Sequence, residues 1–195
     1  TSIQLTTAVA AVANDGKLIK PHLVKQIIDN NGKVIKKFEP EVVRRVISEE
    51  TAHQLCLILE GEVTVGTGLN AYIEGYRVAG KTGTAQKIKP GGGYLTNEHV
   101  ASFVGFAPAI NPRLVCMVVV DAPQGYPYFG GWVAAPVFKN IMQDALNYLE
   151  VPMHKSQENG KTLDKVEYVL VPDVVNLPMA EAISLLNARG LKVKV

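Results

Sequence analysis

Tryptophan and cysteine are scarce in this sequence. One Trp and two cysteines, Cys56 and Cys116, occur in 195 residues. Neither cysteine stands in a CxxC or Cys/His spacing, which argues against a zinc site. Both lie in apolar stretches and are expected to be buried free thiols. An excess of either charge is also missing. The chain carries 20 basic and 18 acidic residues, net +2, so no basic field invites nucleic acid. Long apolar runs are absent, since the longest, Leu114 to Val120, falls far short of the roughly 20 residues of a membrane span. No signal-peptide pattern opens the chain. What is present is ordinary for a globular fold, 47% apolar and 19% charged, which excludes disorder of the whole chain.

The length suits one domain with part of a second. The first residues, TSIQLTTAVAAVANDG, start inside a helix-like pattern without Met, and the final LKVKV reads as a strand in mid-course. Both ends are therefore expected to be cut, leaving a fragment of a longer protein.

Apolar positions in residues 2–13 recur at helical spacing up to Asn14-Asp15-Gly16, predicting a well-buried helix. Residues 21–28 and 33–38 flank Asp29-Asn30-Asn31-Gly32, a hairpin signal. Val42, Val43, Val46 and Ile47 suggest a short strand. Ser48 offers an N-cap, followed by Glu49 and Glu50 and a helix to about Val63. A strand is expected over 76–86, with Lys89-Pro90-Gly91-Gly92-Gly93 as a flexible loop. Val100–Ala107 and Arg113–Asp121 form an antiparallel pair. Val133–Leu149 reads as a helix with Val137, Ile141, Ala145, Leu146 and Leu149 on its buried face. The expected class is α+β, an antiparallel sheet packed by N- and C-terminal helices. The expected domains are 1–149, a polar linker at 150–165, and a small truncated α+β unit at 166–195. In that unit Pro178 and Gly190 bracket a helix whose face of Met179, Ile183 and Leu186 is too small to bury alone.

Two motifs overlap at Lys81. Gly75–Thr82 fits the phosphate-loop pattern GxxxxGK[ST], and LVCMVVVD ending at Asp121 imitates its partner strand. A phosphate loop needs a helix starting at the Lys-Thr pair. Here strand formers precede Lys81 and a Pro-Gly-Gly-Gly loop follows within a few residues, so nucleotide binding stays a remote alternative. The second motif is Lys81-Thr82-Gly83, followed by Thr84. On a strand, Thr82 and Thr84 share one face. Their hydroxyls suit a carboxylate, Lys81 adds positive charge, and Gly83 permits close backbone approach. The Thr84 N–H is a candidate for half of an oxyanion hole.

The surrounding text resembles the class B penicillin-binding proteins, the transpeptidases of peptidoglycan synthesis. The resemblance rests on TSIQLTTAVAAVANDG, VAGKTGTAQ, ASFVGFAPA and YFGGWVAAPVFKNI, in order along residues 1–149. The tail VPDVVNLPMAEAISLLNARGLKVKV resembles the first half of a PASTA domain, which suggests a division or sporulation member. The resemblance implies a serine acyl-enzyme that cross-links stem peptides and is trapped by β-lactams. It implies that Lys81, Thr82, Gly83 and Thr84 bind the substrate carboxylate and complete the oxyanion hole, with Gln86 at the end of that edge. It implies no metal and no cofactor. It places the parent at the outer face of the cell membrane, anchored by a segment outside this sequence, with stem peptides, β-lactams and the upstream part of the same domain as partners.

The family also needs SxxK and SxN. None of Ser2, Ser48, Ser102, Ser156 and Ser184 has Lys three residues on or Asn two residues on. Both motifs are expected upstream of Thr1, so this chain should be inactive alone. GxSxG and HExxH are absent as well. His22, His53, His99 and His154 are scattered and read as structural or solvated, with His99 nearest the proposed edge. Tyr126, Tyr128, Phe129 and Trp132 are either a groove wall or cover over the sheet end. A non-catalytic module that binds cell-wall fragments or β-lactams remains the competing reading.

Overall fold

A computed structural model of the protein describes residues 1–153, 172, 174, 177–188, 190 and 191. The chain divides into two compact units, Thr1–His154 and Lys155–Val195. The first begins with α1 (Ser2–Ala13), whose first turn is closed by a capping box between Thr1 and Gln4. Strands β1 (Lys17–Ile19) and β4 (Val42–Arg45) pair antiparallel. Strands β2 (Gln26–Ile28) and β3 (Val34–Lys37) form a second ribbon. Its turn is set by Asp29, whose Oδ1 accepts from the N–H groups of Asn31 and Lys33 at 2.9 Å each. Helix α2 (Glu49–Thr64) starts at Ser48, whose Oγ accepts from Thr51 N at 3.1 Å. That cap is the one the sequence predicts.

The central sheet has the order β5–β6–β7, all antiparallel: β5 (Ala79–Ile88), β6 (Tyr94–Ala107) and β7 (Leu114–Asp121). Among the described residues, β5 is therefore an edge strand. The Pro-Gly-Gly-Gly stretch is the tight end of the β5–β6 hairpin rather than a loose loop. Lys89 N donates to Gly93 O at 3.0 Å, and Gly92 N to Lys89 O at 2.9 Å. After β7 come a short helix α3 (Gly130–Val133) and the longer α4 (Ala135–Tyr148).

Strand alternation sends the apolar side chains of β6 to both faces. Phe103 and Ala107 pack with Phe138, Met142 and Leu146 of α4, joined by Leu114, Cys116, Val118 and Val120 of β7. Phe106 lies in the opposite layer with Ala79, beside Val9 and Ala13 of α1 and Cys56 and Leu59 of α2. Phe103, Phe106 and Phe138 are fully buried. Each such side chain contributes roughly 1.5–3 kcal/mol by leaving water.

Three expectations are corrected. The buried face of α4 is Ala135, Phe138, Met142 and Leu146, whereas Val137, Ile141 and Leu149 are 43%, 49% and 46% exposed. Both stripes satisfy helical spacing, and the one carrying the large Phe138 ring removes more apolar area. In α1 only Ala11 is fully buried, and Ile3 and Leu5 are exposed. The two thiols are half-buried rather than enclosed. Burial nevertheless pushes both above the ordinary thiol pKa, with Asp15 and Glu60 adding to the rise at Cys56.

In the second unit, α5 (Met179–Ala188) is described. Gly190 takes φ +75°, with its N–H donating to Asn187 O and that of Leu191 to Leu186 O. This is the glycine-terminated end that the sequence predicts. Most of the expected linker and the final strand lie outside the described residues.

Candidate active site

The candidate site lies along β5. Lys81, Thr82, Gly83, Thr84 and Gln86 all fall on this strand, in register with Val104, Phe103, Ser102, Ala101 and His99 of β6. The even-numbered positions share a face. A Cβ on Gly80 would lie 2.6 Å from the Phe103 ring, so this face is the one that α4 covers further along. Thr82 and Thr84 stand on it where the cover changes from α4 to α3.

Two loops close over these hydroxyls. After α2 the chain turns through Gly66-Thr67-Gly68, and a short 3₁₀ turn, Leu69–Ala71, follows. The turn brings Thr67 Oγ1 to 2.8 Å from Thr82 Oγ1. From the other side, Gly130 N donates to Thr84 Oγ1 at 3.1 Å. Asn70 Nδ2 ties the two closing segments together through Gly131 O at 2.8 Å.

Glycine is required at this junction by space. A Cβ on Gly130 would sit 2.2 Å from Ser102 O and 2.4 Å from Gly83 O, and one on Gly131 would sit 2.4 Å from Thr67 O. Only bare backbone fits so close to the strands. The result is a groove of about 290 Å³ lined by Thr67, Thr82, Thr84, Phe129, Gly131 and Trp132. A larger hollow of about 500 Å³ lies between α1 and the β1–β4 ribbon. It is almost wholly apolar, shares no residue with the β5 groove, and offers no chemistry beyond Gln4, Thr7 and Arg44.

Charge at the groove is organised by Glu62 of α2. Its Oε1 lies 3.2 Å from Lys81 Nζ, and its Oε2 accepts from Thr67 Oγ1 at 3.1 Å. Lys81 Nζ also donates to Thr82 Oγ1 at 3.3 Å. Partial desolvation alone would raise the Glu62 pKa. The hydrogen bonds from Lys81 and Thr67 outweigh it and hold the carboxyl below the usual range. Glu62 is thus ionised at neutral pH.

Gln86 is exposed at the far end of the edge and pairs with His99. The His99 ring stacks on Tyr128 at 4.2 Å between centroids, 15° from parallel. Tyr128 in turn meets Phe129 at 4.7 Å, and Tyr126 approaches both rings edge-on. His99 therefore supports the aromatic loop, part of which lines the groove: Phe129 and Trp132 are lining residues. His53 lies elsewhere, 3.2 Å from Asp15.

Local sequence patterning identifies the β5 residues and misses Glu62, Thr67, Asn70, Gly130 and Gly131. The glycine pairs Gly66/Gly68 and Gly130-Gly131 were the available signal, as places where backbone approaches backbone. The phosphate-loop reading fails on geometry. No helix starts at Lys81-Thr82, because β5 continues to Ile88. Among the described residues, no group of three or more His, Cys, Asp or Glu side chains is placed to hold a metal ion.

Comparisons with known proteins agree with this architecture. The family model described as penicillin binding protein transpeptidase domain matches residues 1–143. Stage V sporulation protein D of Bacillus subtilis is 48% identical over 188 residues, covering 95% of this chain and 29% of that protein. The probable peptidoglycan D,D-transpeptidase PenA of Neisseria gonorrhoeae is 39% identical over 150 residues, 76% of this chain and 24% of that protein. This chain thus spans less than a third of either relative's length. Among solved structures, penicillin binding protein 3 of Mycobacterium tuberculosis complexed with aztreonam superposes with a TM-score of 0.70 at 35% identity. That match covers 80% of this chain and 36% of the other. The D,D-transpeptidase domain of a peptidoglycan glycosyltransferase from Eggerthella lenta gives a TM-score of 0.67 at 32% identity, covering 76% of this chain and 32% of the other.

Proposed function

This chain belongs to the penicillin-binding protein transpeptidase family, and from that premise we propose that it forms the β5 wall of a serine D,D-transpeptidase active site. The observation that carries the reading is the convergence of the Lys81 ammonium with the Thr82 and Thr84 hydroxyls beside one open strand edge. Both hydroxyls line a groove of about 290 Å³ there. Lys81, Thr82 and Thr84 bind the terminal carboxylate of a stem peptide, or the carboxylate of a β-lactam. The Thr84 N–H supplies one donor of the oxyanion hole, Gly83 keeps the backbone approachable, and Gln86 bounds the edge.

The nucleophile comes from upstream residues of the same domain. A serine Oγ bonds to the penultimate D-alanine carbonyl carbon, the C–N bond to the last D-alanine breaks, and the serine proton passes to that amine. A second amine then bonds to the acyl carbon, the serine ester C–O bond breaks, and the proton lost by the amine returns to the serine oxygen. The enzyme works at the outer face of the membrane. No described helix is long and apolar enough to cross it. Residues 1–149 form the transpeptidase portion, 150–165 a linker, and 166–195 the start of a PASTA unit. The 48% identity to a stage V sporulation protein D supports a sporulation role.

The test is acylation of the parent enzyme by fluorescent penicillin. Hydrogen bonds to charged groups contribute about 1.5–3 kcal/mol, so Lys81→Ala and Thr84→Val should each slow acylation about 10- to 100-fold. Unchanged acylation in both removes the assignment of this edge. A parent that binds penicillin reversibly, without a covalent adduct, supports the non-catalytic sensor instead.

A further inference from the structure

A hydroxyl carries one proton, and an ionised carboxylate carries none to give. These two facts fix the direction of the hydrogen bonds between Glu62 and Thr82. Thr67 spends its only proton on Glu62 Oε2, at 3.1 Å. In the 2.8 Å contact between Thr67 and Thr82, Thr82 must then be the donor. The Thr82 oxygen is already an acceptor, from Lys81 Nζ at 3.3 Å. The chain therefore runs Thr82 to Thr67 to Glu62, and the Thr82 proton is held by Thr67 on the groove wall. Thr84 is set the opposite way. Its oxygen accepts from Gly130 N at 3.1 Å, which leaves its proton free to donate. The two threonines look equivalent in sequence, and their surroundings make them unlike.

We propose that Glu62 is a positioning residue that competes with the substrate carboxylate for the Thr82 proton, acting through Thr67, and so restrains anion binding at β5. The inference rests on the reading of Lys81, Thr82 and Thr84 as the carboxylate site. For Thr82 to donate to an incoming carboxylate, its bond to Thr67 must be given up. Glu62 holds that bond in place as long as Thr67 donates to it. It also holds one of the three Lys81 protons, at 3.2 Å. Helix α2 thereby sets how readily the strand edge accepts an anion.

Two substitutions release the chain by different routes. In Glu62→Gln, a single neutral amide oxygen remains for the Lys81 ammonium and Thr67 to share, so the acceptor that orients the Thr67 proton is weakened. Thr67 can then donate to Thr82, which frees Thr82 to donate into the groove. Thr67→Val keeps the shape and the Glu62–Lys81 ion pair but removes the acceptor that holds the Thr82 proton. Because a competing bond is lost rather than a new one gained, the effect is a fraction of a full charge-assisted bond. The experiment measures the second-order acylation rate of the parent enzyme by benzylpenicillin and by its methyl ester, which has no carboxylate. Both variants should raise the ratio of acid to ester acylation rates about 3- to 10-fold over the unsubstituted parent. A Glu62→Gln ratio that is unchanged or lower overturns the proposal. A gain in Glu62→Gln without one in Thr67→Val also overturns it, because Lys81 charge alone then explains the gain. Equal gains with acid and ester overturn it too, since general loosening suffices. Lys81→Ala is run alongside. If it leaves acylation by the acid unchanged, the carboxylate-site reading itself has failed, which is a separate result from the loss of the Glu62 effect.

Discussion

At the residue scale, the groove depends on side chains that are missing as much as on those present. Gly83, Gly130 and Gly131 leave space where a methyl group would fall within 2.2–2.5 Å of a neighbouring oxygen. Those at Gly130 and Gly131 are backbone carbonyls that cannot swing aside. At Gly83 the nearest atom is Ser102 Oγ, which can rotate. Gly130→Ala should therefore cost about 1–3 kcal/mol by overpacking. It should also pull the Gly130 N–H off Thr84 and slow acylation of the parent. Gly83→Ala should be milder in stability. Thermal unfolding of both variants checks the order, and equal costs would contradict the contact geometry. The Lys81-Thr82-Gly83 tripeptide is visible in the sequence because its chemistry lies in consecutive residues. Thr67 and Glu62 are not, because nothing local marks one Thr or Glu among many as a partner of β5.

At the element scale, α2 and β5 are joined by more than apolar contact. Arg77, just before β5, grips Glu60 through two hydrogen bonds of 2.6 Å. Glu60 is 14% exposed and Arg77 36%, so water screens the pair only in part. The bidentate grip and the charge of Glu60 raise the Arg77 pKa above its already high value against the opposing effect of burial. The pair fixes the end of α2 from which Glu62 and Thr67 reach the groove. Arg77→Ala should cost about 1–2 kcal/mol, or roughly 3–6 °C in the unfolding midpoint for a domain of this size. Calorimetry of the protein measures it, and a shift below one degree would show the pair to be solvated display. The Ser48 cap, the Asp29–Gly32 turn and the β6–β7 pair were legible because turns, caps and short links are local. The buried face of α4 was misjudged because two stripes fit one period. The sheet chose the stripe containing Phe138, a choice that only the facing Phe103 can decide.

At the scale of the whole molecule, the described fold places a three-stranded sheet between α4 on one face and α1 and α2 on the other. It exposes β5 as an edge. The sequence carries no Ser with Lys three residues on, so this chain brings no nucleophile of the SxxK type to the groove. This chain should stay unlabelled by fluorescent penicillin while its parent is labelled covalently. A labelled band for the chain alone would reveal a nucleophile among the residues present and refute the division of roles proposed here.

The sequence by itself determined the parity of Thr82 and Thr84, the ends of several elements, the class α+β and the lack of SxxK and SxN. Each of these is a matter of spacing within a few residues, where backbone geometry leaves few choices. The tertiary structure decided what surrounds β5. The bonds that close the groove span 15, 46 and 61 residues of chain. Such contacts form only when packed layers bring distant segments together, and no local pattern encodes them. They also decide the direction of the protons, since the carboxylate that orients the Thr82 hydroxyl arrives from another element.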